Sequence, residues 1–191
     1  MSLERALNWS RHGWPVFPCN NNGVPALTEW QKKATTDEAT IRAWDWEDKR
    51  VAAVPGLAGC FVIDVDVKNG KDGETSLAKL EAEHGFEAWE YPQQETPSGG
   101  RHLFLLGDAP SSVQRILGAG LDTRGGTADG GLGFVFCYGE PPCSVSDCPP
   151  SRESLTRVLD QGKREVSEDR ETPRVELDQP ANVERALAYI K

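Results

Sequence analysis

Apolar and polar positions alternate most regularly in CFVIDVDVKNGKDG, residues 60–73. On a strand, Phe61, Ile63, Val65 and Val67 share one face, and Val62, Asp64 and Asp66 share the other. Two carboxylates on one face stand roughly 6–7 Å apart at Cα, which is costly without solvent, a proton or a cation. The pattern around this strand predicts the remaining elements. Residues 3–12 carry helical spacing, with Ser2 as N-cap. GWPVFPC reads as a short strand closed by proline. TTDEATIRAW reads as a helix opened by a Thr35–Glu38 capping box, burying Ile41 and Trp44. ETSLAKLEAEHG predicts a helix with Leu77 and Leu80 inward and Gly85 as its stop. HLFLL and GFVFCY read as strands and SSVQRILG as a short helix. Ser151 opens a helix through Leu155, Val158 and Leu159 that ends near Gly162. Strands and helices mix without βαβ repetition, so the expected fold class is α+β: a central, mostly antiparallel sheet flanked by helices.

Length and composition set the frame. A chain of 191 residues with 38% apolar and 27% charged residues suits one soluble domain with a small appendage. Residues 1–162 form the expected catalytic unit, and the charged stretch KREVSEDRETPRVELDQP, 163–180, has linker composition. Residues 181–191 begin an amphipathic helix, either the start of a further module in a longer protein or a terminal helix that folds back. No apolar run reaches bilayer length and the N-terminus lacks a secretory core, so a cytoplasmic protein without a membrane partner is expected.

Five cysteines without a secretory signal argue against a disulfide framework. Cys137, Cys143 and Cys148 are spaced more loosely than a zinc knuckle, with Asp147 the nearest fourth ligand. Reduced thiols are the expectation and zinc the alternative. Core packing is expected for most of the six tryptophans, with base stacking as the other reading.

Net charge is −9. A nucleic-acid role therefore requires a local basic patch, a metal-neutralised site or help from another domain. Lys32 and Lys33 are the nearest approach to such a patch.

Two further stretches carry candidate chemistry. In ETPSGGRHLFLL, residues 95–106, a turn through Pro97, Ser98, Gly99 and Gly100 delivers Arg101 and His102 to a strand. Paired glycines admit close backbone approach, and Arg and His beside them suit phosphate oxygens; the plain alternative is a tight turn with a surface histidine. In GAGLDTRGGTADGGLGFVF, residues 118–136, Asp122 and Arg124 stand among glycines, without the Gly-Lys-Ser/Thr of a P-loop; the plain alternative is a floppy hairpin connection. Asp64, Asp66 and Asp122 together make a hard-oxygen set suited to Mg²⁺ or Mn²⁺. Two such ions about 3.5–4 Å apart hold an attacking 3′-oxygen and a triphosphate in line.

The ordered set GWPVFP, WQKKATTDEATIRAW, FVIDVDVKNG, TPSGGRHLFL and GLDTRGG resembles the bifunctional primase-polymerase domain of the archaeo-eukaryotic primase superfamily, over roughly residues 1–160. It is most similar to versions in replication proteins of phages and plasmids from actinobacteria, where a helicase module often follows. The resemblance implies a primase-like catalytic core in a bacterial host cell. Asp64, Asp66 and Asp122 would be the ligands of two divalent ions, and His102 would contact the incoming triphosphate. Ser98, Gly99, Gly100 and Arg101 would shape that nucleotide pocket, with Arg124 beside it. The implied activity is primer synthesis and extension on a single-stranded DNA template from nucleoside triphosphates. Two features depart from the family pattern: Gly100 stands where many members have serine, and FVFCYGEPPCSVSDCPPS replaces a proline- and serine-rich strand end. A silent nucleotide- or DNA-binding module and a D-x-D glycosyltransferase are the competing readings; the second leaves SGGRH and LDTRG without a role.

Overall fold

A computed structural model describes residues 2–68, 70–111, 116–126 and 131–168. Along the chain run α1 (Ser2–Arg11), β1 (Val16–Asn20), α2 (Trp30–Lys33), α3 (Glu38–Ala43), β2 (Lys49–Ala53), β3 (Cys60–Val65) and α4 (Gly73–His84). They are followed by β4 (Gln93–Glu95), β5 (Arg101–Leu106), β6 (Leu121–Arg124), β7 (Val135–Phe136) and α5 (Glu153–Glu168). The fold is α+β, with its strands divided between two antiparallel sheets, ordered β1-β2-β7 and β4-β5-β3-β6, rather than one.

The alternation read in β3 separates two cores. Phe61, Ile63 and Val65 join Leu103 and Leu105 of β5 under Leu77 and Leu80 of α4 and Leu155 and Leu159 of α5. On the opposite face, Cys60, Val62 and Phe104 pack against Ala6, Leu7 and Trp9 of α1 and against Trp14, Val51 and Val135. The four-stranded sheet is thus a middle layer, with α4 and α5 on one side and α1 with the three-stranded sheet on the other. A smaller cluster around Phe17, Ala52 and Leu132 covers the outer face of the three-stranded sheet.

Several sequence expectations require correction. Pro18 does not close β1 but lies inside it, opposite Val51, because β1 is an edge strand where a missing N–H costs no ladder bond. Pro18 still accepts from the Ala26 N–H at 3.1 Å. The N-cap of α3 is Asp37, whose carboxylate accepts from Thr40 N–H at 2.7 Å; Thr35 Oγ1 accepts from Asp37 N–H instead, and Glu38 turns to Arg11 and Arg42. Gly162 does not end α5, which continues to Glu168. The predicted GFVFCY strand is paired as a strand only at Val135–Phe136. Residues 112–115 of the predicted SSVQRILG helix, and 169–191, lie outside the described residues. The helix over Gly73–His84 is as expected, with Leu77 and Leu80 buried and Gly85 left-handed at its end.

Candidate active site

The register of the four-stranded sheet places three candidate residues in one row. Asp64 on β3 lies directly opposite His102 on β5 and Asp122 on β6. Gln94 on β4 lies opposite His102 and extends the row to the sheet edge. Directly opposed residues share a face, so these four side chains, none of them apolar, lie on the face that elsewhere carries Val62 and Phe104. This is where the second core opens into a cleft of about 490 Å³ lined by Asp64, Lys68, Ser111 and Arg124 on one side.

Positive charge already gathers there. Arg124 Nη2 is 2.9 Å from Asp122 Oδ2 and 3.6 Å from Asp64 Oδ2, and His102 Nε2 is 3.5 Å from Asp64 Oδ1. Burial opposes ionisation of Asp64, but the His102 hydrogen bond and the charges of His102, Arg124 and Lys68 outweigh it. The carboxyl is held below its ordinary range. Asp122 and His102 are nearly inaccessible, at 3% and 4% exposure. Asp122 Oδ1 and His102 Nδ1 are buried without a hydrogen-bond partner among the described residues. An orphaned carboxylate oxygen beside a second carboxylate is a donor arrangement that fits a hard divalent cation.

Asp66 stands apart from this pair. Strand β3 ends at Val65, and the Asp66 backbone is pinned instead between Gly120 O and Gly73 N–H, at 2.8 and 3.0 Å. Its carboxylate pairs with Lys71 at 2.9 Å and Lys68 at 3.4 Å. Among the described residues no group of three His, Cys, Asp or Glu side chains is placed to hold a metal ion. Asp64 and Asp122 are brought together; Asp66 reaches their cleft only through Lys68.

The glycine turn is present between β4 and β5, but it divides its residues between the two faces. Gly99 is left-handed at φ +87°, and Ser98 Oγ bonds Thr96 Oγ1 at 3.1 Å. Arg101 lies opposite Val65, so its side chain takes the α4 face and pairs with Glu74 Oε2 at 2.5 Å and Gln93 Oε1 at 2.9 Å. It is on the far side of the sheet from His102, because neighbouring strand residues alternate. Gly100 shows why serine is excluded here: a Cβ at this position would overlap the Val65 carbonyl oxygen. Gly100→Ala is expected to lower stability by about 1–3 kcal/mol by forcing β5 off β3. Urea unfolding checks this, and an unchanged midpoint would contradict the contact.

Sequence reasoning missed Gln94, 7% exposed, which accepts from Tyr138 N–H and donates to the carbonyls of Tyr138 and Glu140. It ties the chain after β7 to the end of the polar row. A lone glutamine before a turn carries no spacing signal, and its role depends on pairing with β5. The cysteine group also differs in membership. Cys143 Sγ lies 3.0 Å from Cys148 Sγ, and Cys60 is the third thiol, hydrogen-bonded to Cys148. Cys137 is instead a core residue whose thiol is pushed well up by burial. Lys32 is paired with Glu29 at 2.7 Å. Among the described residues no helix is long and apolar enough to cross a membrane.

Residues 6–142 match the family model described as bifunctional DNA primase/polymerase, N-terminal. The match spans well over half of the chain, which belongs to that family. A search of curated proteins finds no match. The family's activity is nucleotidyl transfer in DNA synthesis, its substrates are DNA and nucleotides, and its enzymes typically use divalent metals.

Proposed function

We propose that this member of the bifunctional primase/polymerase family synthesises and extends primers by template-directed nucleotidyl transfer, at the row His102–Asp64–Asp122. The observation that carries the reading is that row itself: two carboxylates opposed in register, one oxygen orphaned, with Arg124 spanning both.

Asp64 and Asp122 would hold Mg²⁺ or Mn²⁺, with Asp66 as the third carboxylate of a two-ion set once it exchanges Lys71 and Lys68 for the ion. Bound there, the ions supply charge neutralisation on the triphosphate and activation of the primer 3′-oxygen. The chain's own residues do the rest. Arg124, anchored by Asp122, and the more exposed Lys68 present cations to phosphate oxygens at the cleft wall. His102, held by the sheet and by Asp64, donates a hydrogen bond to the triphosphate. Ser98, Gly99 and Gly100 keep the β4–β5 turn tight behind it, and Arg101 anchors that turn to α4 through Glu74. Catalysis is then mainly positioning and charge stabilisation by groups already in place.

One observation favours a second reading, a silent binding module: Arg124 and the two lysines already neutralise the three acids. The assay that separates them is incorporation of radiolabelled nucleotide into acid-insoluble product on bare single-stranded DNA with Mn²⁺ or Mg²⁺. Incorporation by the wild type is expected; none with either metal, and with either ribo- or deoxyribonucleotides, overturns the polymerase reading. His102→Ala is expected to raise the KM for nucleotide more than it lowers metal affinity, because its partner is phosphate. An unchanged KM in steady-state titrations would remove His102 from the nucleotide site.

A further inference from the structure

The cleft that Asp64 lines is otherwise largely aromatic. Phe134, Phe136 and Tyr138 are each half-buried while Val135 and Cys137 between them are buried, so the odd-even pattern turns three rings to one side. With Trp30 they line the same cleft as Asp64, Lys68 and Arg124. The rings form a continuous run. Trp30 meets Phe134 edge-on at 5.3 Å, Phe134 meets Phe136 at 5.8 Å, and Phe136 meets Tyr138 at 6.4 Å. Tyr138 in turn lies 6.0 Å from the His102 ring. Arg50 stiffens the middle of the run. Its guanidinium sits 3.3 Å from the Phe136 ring centroid, and its Nη2 donates to Tyr138 Oη at 2.9 Å.

Core packing explains part of this wall, since Trp30 and Phe134 also lean on Phe17. It does not explain why the half-buried Phe134, Phe136 and Tyr138 line the cleft that Asp64 and Arg124 also line. A cleft with cations and a carboxylate on one wall and aromatic rings on the other matches an amphipathic ligand with an anionic end and an aromatic end.

Resting on the polymerase reading of this site, we infer that the Trp30–Phe134–Phe136–Tyr138 wall is the subsite for the base of the incoming nucleoside triphosphate. Its phosphates lie toward Arg124 and Lys68, and its base stacks on the rings. Stacking accepts any base, because every base has a π face, so the wall supplies affinity without sequence choice. The occupant is the nucleotide rather than the template strand, because the cations that suit phosphate share this one cleft.

The test measures equilibrium binding of dATP, inorganic tripolyphosphate and a short oligothymidylate, each with Mn²⁺, to the wild type, Phe136→Leu and Phe134→Leu. The wild type is expected to bind dATP more tightly than tripolyphosphate. Each variant should lose roughly tenfold or more in dATP affinity, the size of one base–aromatic stack, and keep its tripolyphosphate and oligothymidylate affinities. Circular dichroism identifies a variant that fails to fold, and the other then decides the question. Equal wild-type affinity for dATP and tripolyphosphate overturns the base subsite alone. Loss confined to oligothymidylate also overturns it, in favour of a template platform. A wild type that binds neither dATP nor tripolyphosphate overturns the polymerase reading as well.

Discussion

Asp122→Ala is expected to lower nucleotide incorporation at least about a hundredfold while leaving the protein folded, the loss typical when one well-placed electrostatic group is removed from an active site. Asp122 is 3% exposed, it sits in register with Asp64, and its Oδ1 has no partner among the described residues. Its removal deletes a buried carboxylate that the apoprotein satisfies on one oxygen only. Arg124 keeps Asp64 as a neighbour at 3.6 Å, so no cation is stranded. The thermal midpoint should therefore shift by no more than a few degrees, while Mn²⁺ binding, read by electron paramagnetic resonance, weakens with activity. Asp122→Asn, which keeps the shape and removes the charge, should behave alike. Comparable losses are expected for Asp64→Ala and Asp66→Ala. Near-wild-type incorporation by the Asp122 or Asp64 variant would show that the chemistry lies elsewhere. A normal Asp66→Ala enzyme would reduce the metal set to the opposed pair.

The largest stability effect is expected at Phe104. Phe104→Ala should cost about 3–5 kcal/mol, a substantial part of the 5–15 kcal/mol typical of a whole domain. The ring is fully buried on β5 opposite Val62, 5.2 Å from the Trp14 ring and 6.1 Å from that of Trp9. It joins the four-stranded sheet to α1 at the point where both tryptophans converge. A cavity there cannot close without moving α1, so both the transfer and the cavity contributions are lost. At a temperature where the variant remains folded, incorporation at saturating nucleotide should stay within a few-fold of wild type, since Phe104 touches neither Asp64 nor Asp122. The KM for nucleotide should rise, because the His102 ring loses its edge-on neighbour at 6.3 Å. Urea unfolding with an unchanged slope and a lowered midpoint is the expected record. A loss below about 1 kcal/mol would mean that the core relaxes around the gap.

Local periodicity was enough to read α1, α4, β3 and β5, because each buries one face of a short segment and the spacing of apolar residues records that face directly. The same alternation correctly put Asp64 on the opposite side from Ile63 and Val65. The glycine-flanked positions of His102 and Asp122 could be flagged as chemistry, and the ordered motifs pointed to the family, without knowledge of any contact. What no local pattern could supply was register. That Asp122 and His102 both lie opposite Asp64 depends on pairings across tens of residues, and a shift of one position would turn each side chain to the other face. The same pairing sends Arg101 to Glu74, away from the phosphate-suited face. Gly120 and Gly73, close-packed on the backbone of Asp66, end β3 one residue before that carboxylate and leave it to Lys68 and Lys71. Thr35 lost the capping role to Asp37 because its backbone pairs with Val16 of β1, a long-range bridge invisible in the helix sequence. Composition and periodicity determined which residues are apolar, which are charged and how each segment folds by itself. The assembly of a row of polar side chains facing an aromatic wall was decided only when two sheets met, because side-chain direction is local but side-chain company is not.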